Sequence, residues 1–227
     1  MIKLKKTSVF VIVLVSNVLF SQETSTKNLG DFDTVKVFDR ISVQLIPSTT
    51  NKITLSGANS QEVQIVNNNG ELKVRMPLDK LLSGEDVDVV IYYKKLNAIE
   101  ASEGAKVNAN TVIKAIEFSL NAKEGAIIKT FLDVEKASIK VASGGVITVS
   151  GSTQNQDIVI STGGILNAKN FKSNQATISI NAGGSADIFA SSFVDAKVRA
   201  GGEIYIYGKP KQINQKTVLG GTIKTAN

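Results

Sequence analysis

The chain has 227 residues, of which 42% are hydrophobic and 20% charged, with 18 Gly and a formal net charge of +6. That balance describes a folded chain long enough to bury a sizeable core, and excludes disordered and collagen-like classes. Cys, His and Trp are absent, which excludes disulfides, thiolate metal sites and thiol-linked lipid, and removes the usual general base near neutral pH and the commonest transition-metal ligand.

The first predicted element is a leader. Residues 1–22, MIKLKKTSVFVIVLVSNVLFSQ, set Lys3, Lys5 and Lys6 before an apolar run from Val9 to Phe20 and a small Ser21, the pattern of a signal peptide. The run is 12 residues long, and a membrane-spanning helix needs about 20. No later run is longer, so no transmembrane segment is expected in the mature chain. Cleavage removes three Lys and leaves 23 basic against 20 acidic residues, a balance of about +3. The charge is weak and scattered, without a basic run interleaved with aromatics, which argues against nucleic acid and anionic lipid as partners.

Residues 23–97 are predicted to be an irregular N-terminal β region. Alternating stretches such as ISVQLI (41–46), KITL (52–55), EVQIV (62–66), ELKVRM (71–76) and DVDVVIYY (86–93) read as strands, with a turn at Asn67 to Gly70. They keep no constant period. The expectation is a β layer, or less regular coils, capping the repeats that follow.

From residue 98 to 227 the chain repeats. Gly pairs recur at Gly144-Gly145, Gly163-Gly164, Gly183-Gly184, Gly201-Gly202 and Gly220-Gly221, at spacings of 19, 20, 18 and 19 residues. Glu103-Gly104 and Glu124-Gly125 extend the series upstream, with one extra residue assigned before the turn. At offsets of minus 5, minus 3, plus 3 and plus 5 from the first Gly of the five clean copies, seventeen of twenty residues are Ala, Val, Leu or Ile. The interleaved positions at minus 4 and plus 4 are polar except for Val159 and Tyr205. A period of two means strands with one buried and one wet face. Strand pairs meeting at a Gly corner every 19 to 20 residues make the coils of a solenoid, because one coil cannot bury its inner face alone. Leucine-rich repeats need a motif absent here, and propeller blades need about twice the length. The predicted fold is therefore all-β, a right-handed parallel β-helix, with polar third sides plugged by Phe171, Phe193 and Ile213. The three polar inward residues, Gln215, Thr217 and Thr225, all fall in the last copy, as a solvated terminal rung requires.

The leader, the opening FDTVKVFDRISVQLIPS, the passage DVDVVIYYKKLNAIEASEGAKV and the Gly-Gly coils together resemble the head GIN domain family of putative auto-transporter adhesins. The likeness spans about residues 30 to 220. It implies an exported protein, in the periplasm or at the cell surface of a Gram-negative bacterium, and carries over no catalytic residues. No β-barrel translocator segment is expected within these residues.

Candidate sites are few. At plus 4, Thr148, Asn167, Asp187, Tyr205 and Lys224 form an outward column. Of these, Asn167, Asp187 and Tyr205 combine hydrogen-bonding groups and an aromatic plate of the kind a sugar contacts. The column at minus 4 holds Lys140, Lys197 and Lys216, charges that an acidic polymer could meet. Polysaccharide lyases and hydrolases also use β-helices, but they need clustered carboxylates. Asp157 and Asp195 share offset minus 6 with Thr177 between them, and Asp187 has no acidic neighbour. The expectation is a non-catalytic protein with no cofactor and no metal, presenting a strand face to surface glycan or an envelope protein, with oligomers possible. A structural envelope module without specific ligand and a carbohydrate-active enzyme are the alternatives.

Overall fold

The structure is a computed structural model that describes residues 24–226. The expected signal peptide at 1–22 lies outside the described residues. Among those described, no helix is long and apolar enough to cross a membrane. Nearly everything is strand, wound into a β-solenoid of about 7 turns. In chain order the strands are β1 (Ser25–Asn28), β2 (Thr34–Val37), β3 (Ser42–Pro47), β4 (Lys52–Gly57), β5 (Gln64–Asn68), β6 (Glu71–Arg75), β7 (Val87–Tyr93), β8 (Ala98–Ala101) and β9 (Lys106–Ala122). They continue as β10 (Ile127–Val141), β11 (Val146–Ile160), β12 (Ile165–Ala168), β13 (Phe171–Ile180), β14 (Ser185–Phe189), β15 (Phe193–Val198), β16 (Glu203–Tyr207), β17 (Gln212–Thr217) and β18 (Thr222–Thr225).

From β8 onward every pairing is parallel and joins a residue to its counterpart one coil on. One inward column runs Ala122, Val141, Ile160, Ile180, Val198, Thr217, and another runs Leu120, Ile139, Ile158, Ile178, Ala196, Gln215. All sixteen inward positions of the first four clean copies are buried, at 0–2% exposure. The inward and outward offsets expected from the sequence are therefore inside and outside in the structure. In the last copy Gln215, Thr217 and Thr225 are exposed and Ile223 is half-buried, so water meets polar groups at the open end of the stack.

The Gly pairs divide two tasks. Gly144 has φ of 72° and open space where a Cβ would stand, so it serves the left-handed turn together with Ser143 at φ 48°. Gly145 has ordinary φ, but a Cβ there would lie 2.5 Å from the Ala122 carbonyl oxygen of the preceding coil. Register equates Gly104 and Gly125 with Gly144, so the early copies have Glu103 and Glu124 in the Ser143 place and no extra residue before the turn. The longer early coil comes from β9, where Asn110 and Thr111 bulge out between the pairs Thr130↔Ala109 and Phe131↔Val112.

The third side differs from expectation at Phe193. That ring is half-exposed, in register with Gln175 and Gln212, and Val194 fills the interior instead. The inward column there is Phe118, Ala137, Gln156, Ala176, Val194, Ile213. Gln156 is 1% exposed; its Nε2 donates to Ser173 Oγ at 2.9 Å and to the Phe189 carbonyl at 2.8 Å.

The N-terminal region belongs to the same stack, but out of order. β2 pairs in parallel with both β6 and β8, and β3 with both β7 and β9. The coil of residues 34–47 thus sits between the coil of 71–93 and that of 98–109. Antiparallel β4 on β7, β1 on β4 and β5 on β6 finish the upper end. Asp39, 1% exposed, ties this crossing together, its oxygens accepting the backbone N–H of Met76 at 3.0 Å and of Leu82 at 3.1 Å.

Candidate functional site

The outward plus 4 column is continuous in the structure. Register joins Gln44, Asn108, Lys129, Thr148, Asn167, Asp187, Tyr205 and Lys224, one per coil. Asn167, Asp187 and Tyr205 therefore stand on three successive rungs, ~4.8 Å apart as hydrogen-bonded strands are. In-register parallel pairing forces this, since a slip of one residue would send the whole column inward.

Two of the three side chains are held from within the face. Asn167 Nδ2 donates to Thr148 Oγ1 at 3.3 Å, and the Tyr205 hydroxyl donates to Glu203 Oε2 at 3.3 Å. The Glu203 carboxylate, and behind it Asp187, push the Tyr205 phenol above its ordinary range, so it remains a hydrogen-bond donor at neutral pH.

The structure adds two flanking columns that the sequence reading left out. On one side stand Ile127, Val146 and Ile165, followed by Ser185 and Glu203; Ile127 is 41% and Ile165 39% exposed. On the other, Phe131 is in register with Ser150 and Phe189 with Tyr207. Lys172 Nζ lies 3.9 Å from the Phe189 ring centre and Lys169 Nζ 4.3 Å from that of Tyr207. Extending the period-two count from plus 4 to plus 2 and plus 6 would have found these groups. The result is a flat outer strand face of polar groups edged by aliphatic and aromatic ones.

The two aligned aspartates of the regular coils stand apart. Asp157 and Asp195 are separated in register by Thr177 and each meets a Lys, Asp157 with Lys136 at 3.8 Å and Asp195 with Lys197 at 2.8 Å. Among the described residues, no group of three or more acidic side chains is placed to hold a metal ion.

Comparison with known proteins agrees with this architecture. In fold the chain is similar to a crystal structure of a putative adhesin from Bacteroides fragilis, with TM-score 0.84 and 18% identity over 91% of this chain and 98% of that one. A putative adhesin from Parabacteroides distasonis aligns with TM-score 0.75 and 18% identity over 91% and 97%. A protein from the same organism described as a putative lipid binding protein aligns with TM-score 0.70 and 16% identity over 92% and 98%. At these identities the likeness is one of fold alone. No match was found among curated proteins. Residues 31–210 match the family described as "Putative auto-transporter adhesin, head GIN domain", and the chain belongs to that family.

Proposed function

We propose that the protein is an exported, non-catalytic adhesin, held in the periplasm or at the cell surface, that presents the outer face around Asn167, Asp187 and Tyr205 to surface glycan. The family's adhesin description supports the general class. The single observation behind the glycan reading is the ladder itself: amide, carboxylate and phenol on consecutive rungs, beside the half-exposed rings of Phe189 and Tyr207. Aromatic bodies with wet polar edges suit ligands that are apolar on one face and hydroxylated at the rim. The non-catalytic reading is supported by the family's adhesin description and by Asp157 and Asp195, the aligned acids of the regular coils, which each pair with a Lys rather than with one another.

A glycan array probed with the processed chain tests the reading. Binding to a neutral glycan that weakens about tenfold in Tyr205→Ala or Asn167→Ala, a loss of ~1.4 kcal/mol, is the expected result. No binding to any glycan, together with unchanged adhesion of cells that lack the protein, sinks it. Release of reducing ends or unsaturated products from a polysaccharide would make the protein an enzyme.

A further inference from the structure

A second concavity lies on a different outer face, across the out-of-order coils. Its volume is about 310 Å³, and its walls come from two adjacent columns. The first column is Lys73, Lys36, Glu100 and Asn121, joined by register through β6, β2, β8 and β9. The second lies two residues further along each strand: Arg75, Phe38, Ser102 and Lys123. Backbone bonds from Phe38 N to the Val74 carbonyl, Ser102 N to Val37 and Lys123 N to Ala101 keep it in step. Four rungs at ~4.8 Å put Arg75 and Lys123 about 14 Å apart, with Phe38 and Ser102 between them.

Charge is distributed unequally between the two columns. In the first, Lys36 meets Glu71 at 2.7 Å and Glu100 at 3.5 Å, and Lys73 meets Glu71 at 3.4 Å. Its cations are matched by carboxylates, and the Glu71 contact holds Lys36 above and Glu71 below the ordinary ranges, so the pair stays ionised. In the second, Arg75 uses Nε to donate to the Met76 carbonyl at 3.3 Å, which leaves both terminal amino groups of the guanidinium to other acceptors. No ion pair of Arg75 is found among the described residues. Lys123 meets Glu124 at 3.6 Å, both about half-exposed, and also feels the Glu103 carboxylate, pairings that solvent makes weak.

We infer that this concavity is a binding site for a carboxylated saccharide, a uronate-type oligomer lying along the Arg75, Phe38, Ser102, Lys123 column. The planar guanidinium can grip one sugar carboxylate through two donors, and the Lys123 ammonium can meet a second. The half-exposed Phe38 ring offers a plate for a sugar face, and the Asn121 amide offers hydrogen bonds beside it, with Ser102, 3% exposed, lining the wall. A bare phosphate would use the cations and leave the ring idle. A neutral glycan would use the ring and leave the cations idle. The volume sits at the small end of ligand pockets, which suits one or two sugar rings rather than a lipid chain. Beyond Asn121 the first column continues to Lys140, and further down to Lys197 and Lys216, so a longer acidic polymer has further cations along the same face.

This site shares no residue with the ladder, so the two succeed or fail separately. The test is calorimetric titration of the processed chain with tetragalacturonate and with its methyl-esterified, uncharged counterpart. Tetragalacturonate should bind, and the ester should bind about tenfold more weakly. Arg75→Gln and Lys123→Gln should each weaken the acid about fivefold and together about twentyfold, while Tyr205→Ala leaves it unchanged. Raising salt from about 0.05 to 0.5 M should weaken it severalfold. Lys123 is exposed, so its variant keeps the test valid even if Arg75→Gln unfolds. Absence of binding, equal binding of the ester, or indifference to Lys123→Gln in a folded variant overturns the inference. So does binding of phosphatidylglycerol vesicles through Arg75 and Lys123 without binding of the saccharide.

Discussion

Two regions of one stack obey the same packing rule under different chain orders. From Ala98 onward, each residue's vertical partner lies 18 to 21 positions along the chain. In the coil of residues 34–47 the partners are remote: Val37 meets Val74, 37 positions on, and Ala101, 64 positions on. Both regions bury alternate residues, since that follows from strand geometry alone. Only the first shows a repeat, because a repeat requires a nearly constant separation between stacked residues. The difference also concerns assembly. The regular coils add one short closure at a time, whereas the N-terminal coil must wait for two distant segments.

The sharpest way to break the comparison is a buried charge in each region on the same column. Ile160 and Val37 are both 0% exposed, and register links them through Ala101, Ala122 and Val141. Ile160→Asp and Val37→Asp each put an uncompensated carboxylate among aliphatic neighbours, so each should cost ~3–5 kcal/mol in urea unfolding. A harmless Val37→Asp would mean that residues 34–47 are not a coil of the stack.

Next in size is a corner of the regular region. Gly151, where β11 turns between coil sides, has φ of 115°, and a Cβ there would stand 2.0 Å from the Leu132 carbonyl oxygen. Gly151→Ala meets both penalties, an unfavourable φ and overlap with backbone that cannot move alone. A loss of about 3 kcal/mol is expected, by combining roughly 1 for the conformation with 1–3 for the overlap. A melting temperature unchanged from the parent would show that the corner can relax.

A smaller effect tests the N-terminal crossing by pH. Burial, and then the neighbouring Asp39 carboxylate, hold the Glu103 carboxyl above its ordinary value of 4.5. The folded protein therefore keeps this proton where the unfolded chain has lost it. Stability from the group is full below about pH 4.5 and declines as pH rises through the raised folded value. Glu103→Gln should flatten that decline, so that urea midpoints at pH 4.5 and 7 differ less than in the parent. An unaltered difference would remove Glu103 from the coupling.

The sequence made the regular coils legible because apolar side chains at fixed offsets report both strand period and coil length. It was blind where a coil departs from either. The bulge at Asn110 and Thr111 shifts the offsets without altering composition. Gln156 faces inward with its amide nitrogen donating to Ser173 and the Phe189 carbonyl, and a count of apolar residues passes over it. Phe193 looks like a core residue by type, yet the strand's alternation puts Val194 inside. The plus 4 ladder could be read because it lies within the regular coils. The concavity at Arg75 and Lys123 could not, since its walls come from segments near residues 38, 75, 102 and 123 that only the crossing brings together.

The smallest expected effect closes the comparison between inside and outside. Lys140 is exposed on the strand that buries Ile139 and Val141, with Asn121 and Val159 as its column neighbours. Lys140→Asp reverses a charge in water, where screening and side-chain freedom leave little to lose, so stability should move by about 0.5 kcal/mol or less. Ile160→Asp introduces the same carboxylate one coil away and one column inward. The ratio of the two costs measures how dry the stack is. If Lys140→Asp proved as damaging as Ile160→Asp, the outer face would itself be covered, and the free surface assigned to ligand would belong to an interface between chains.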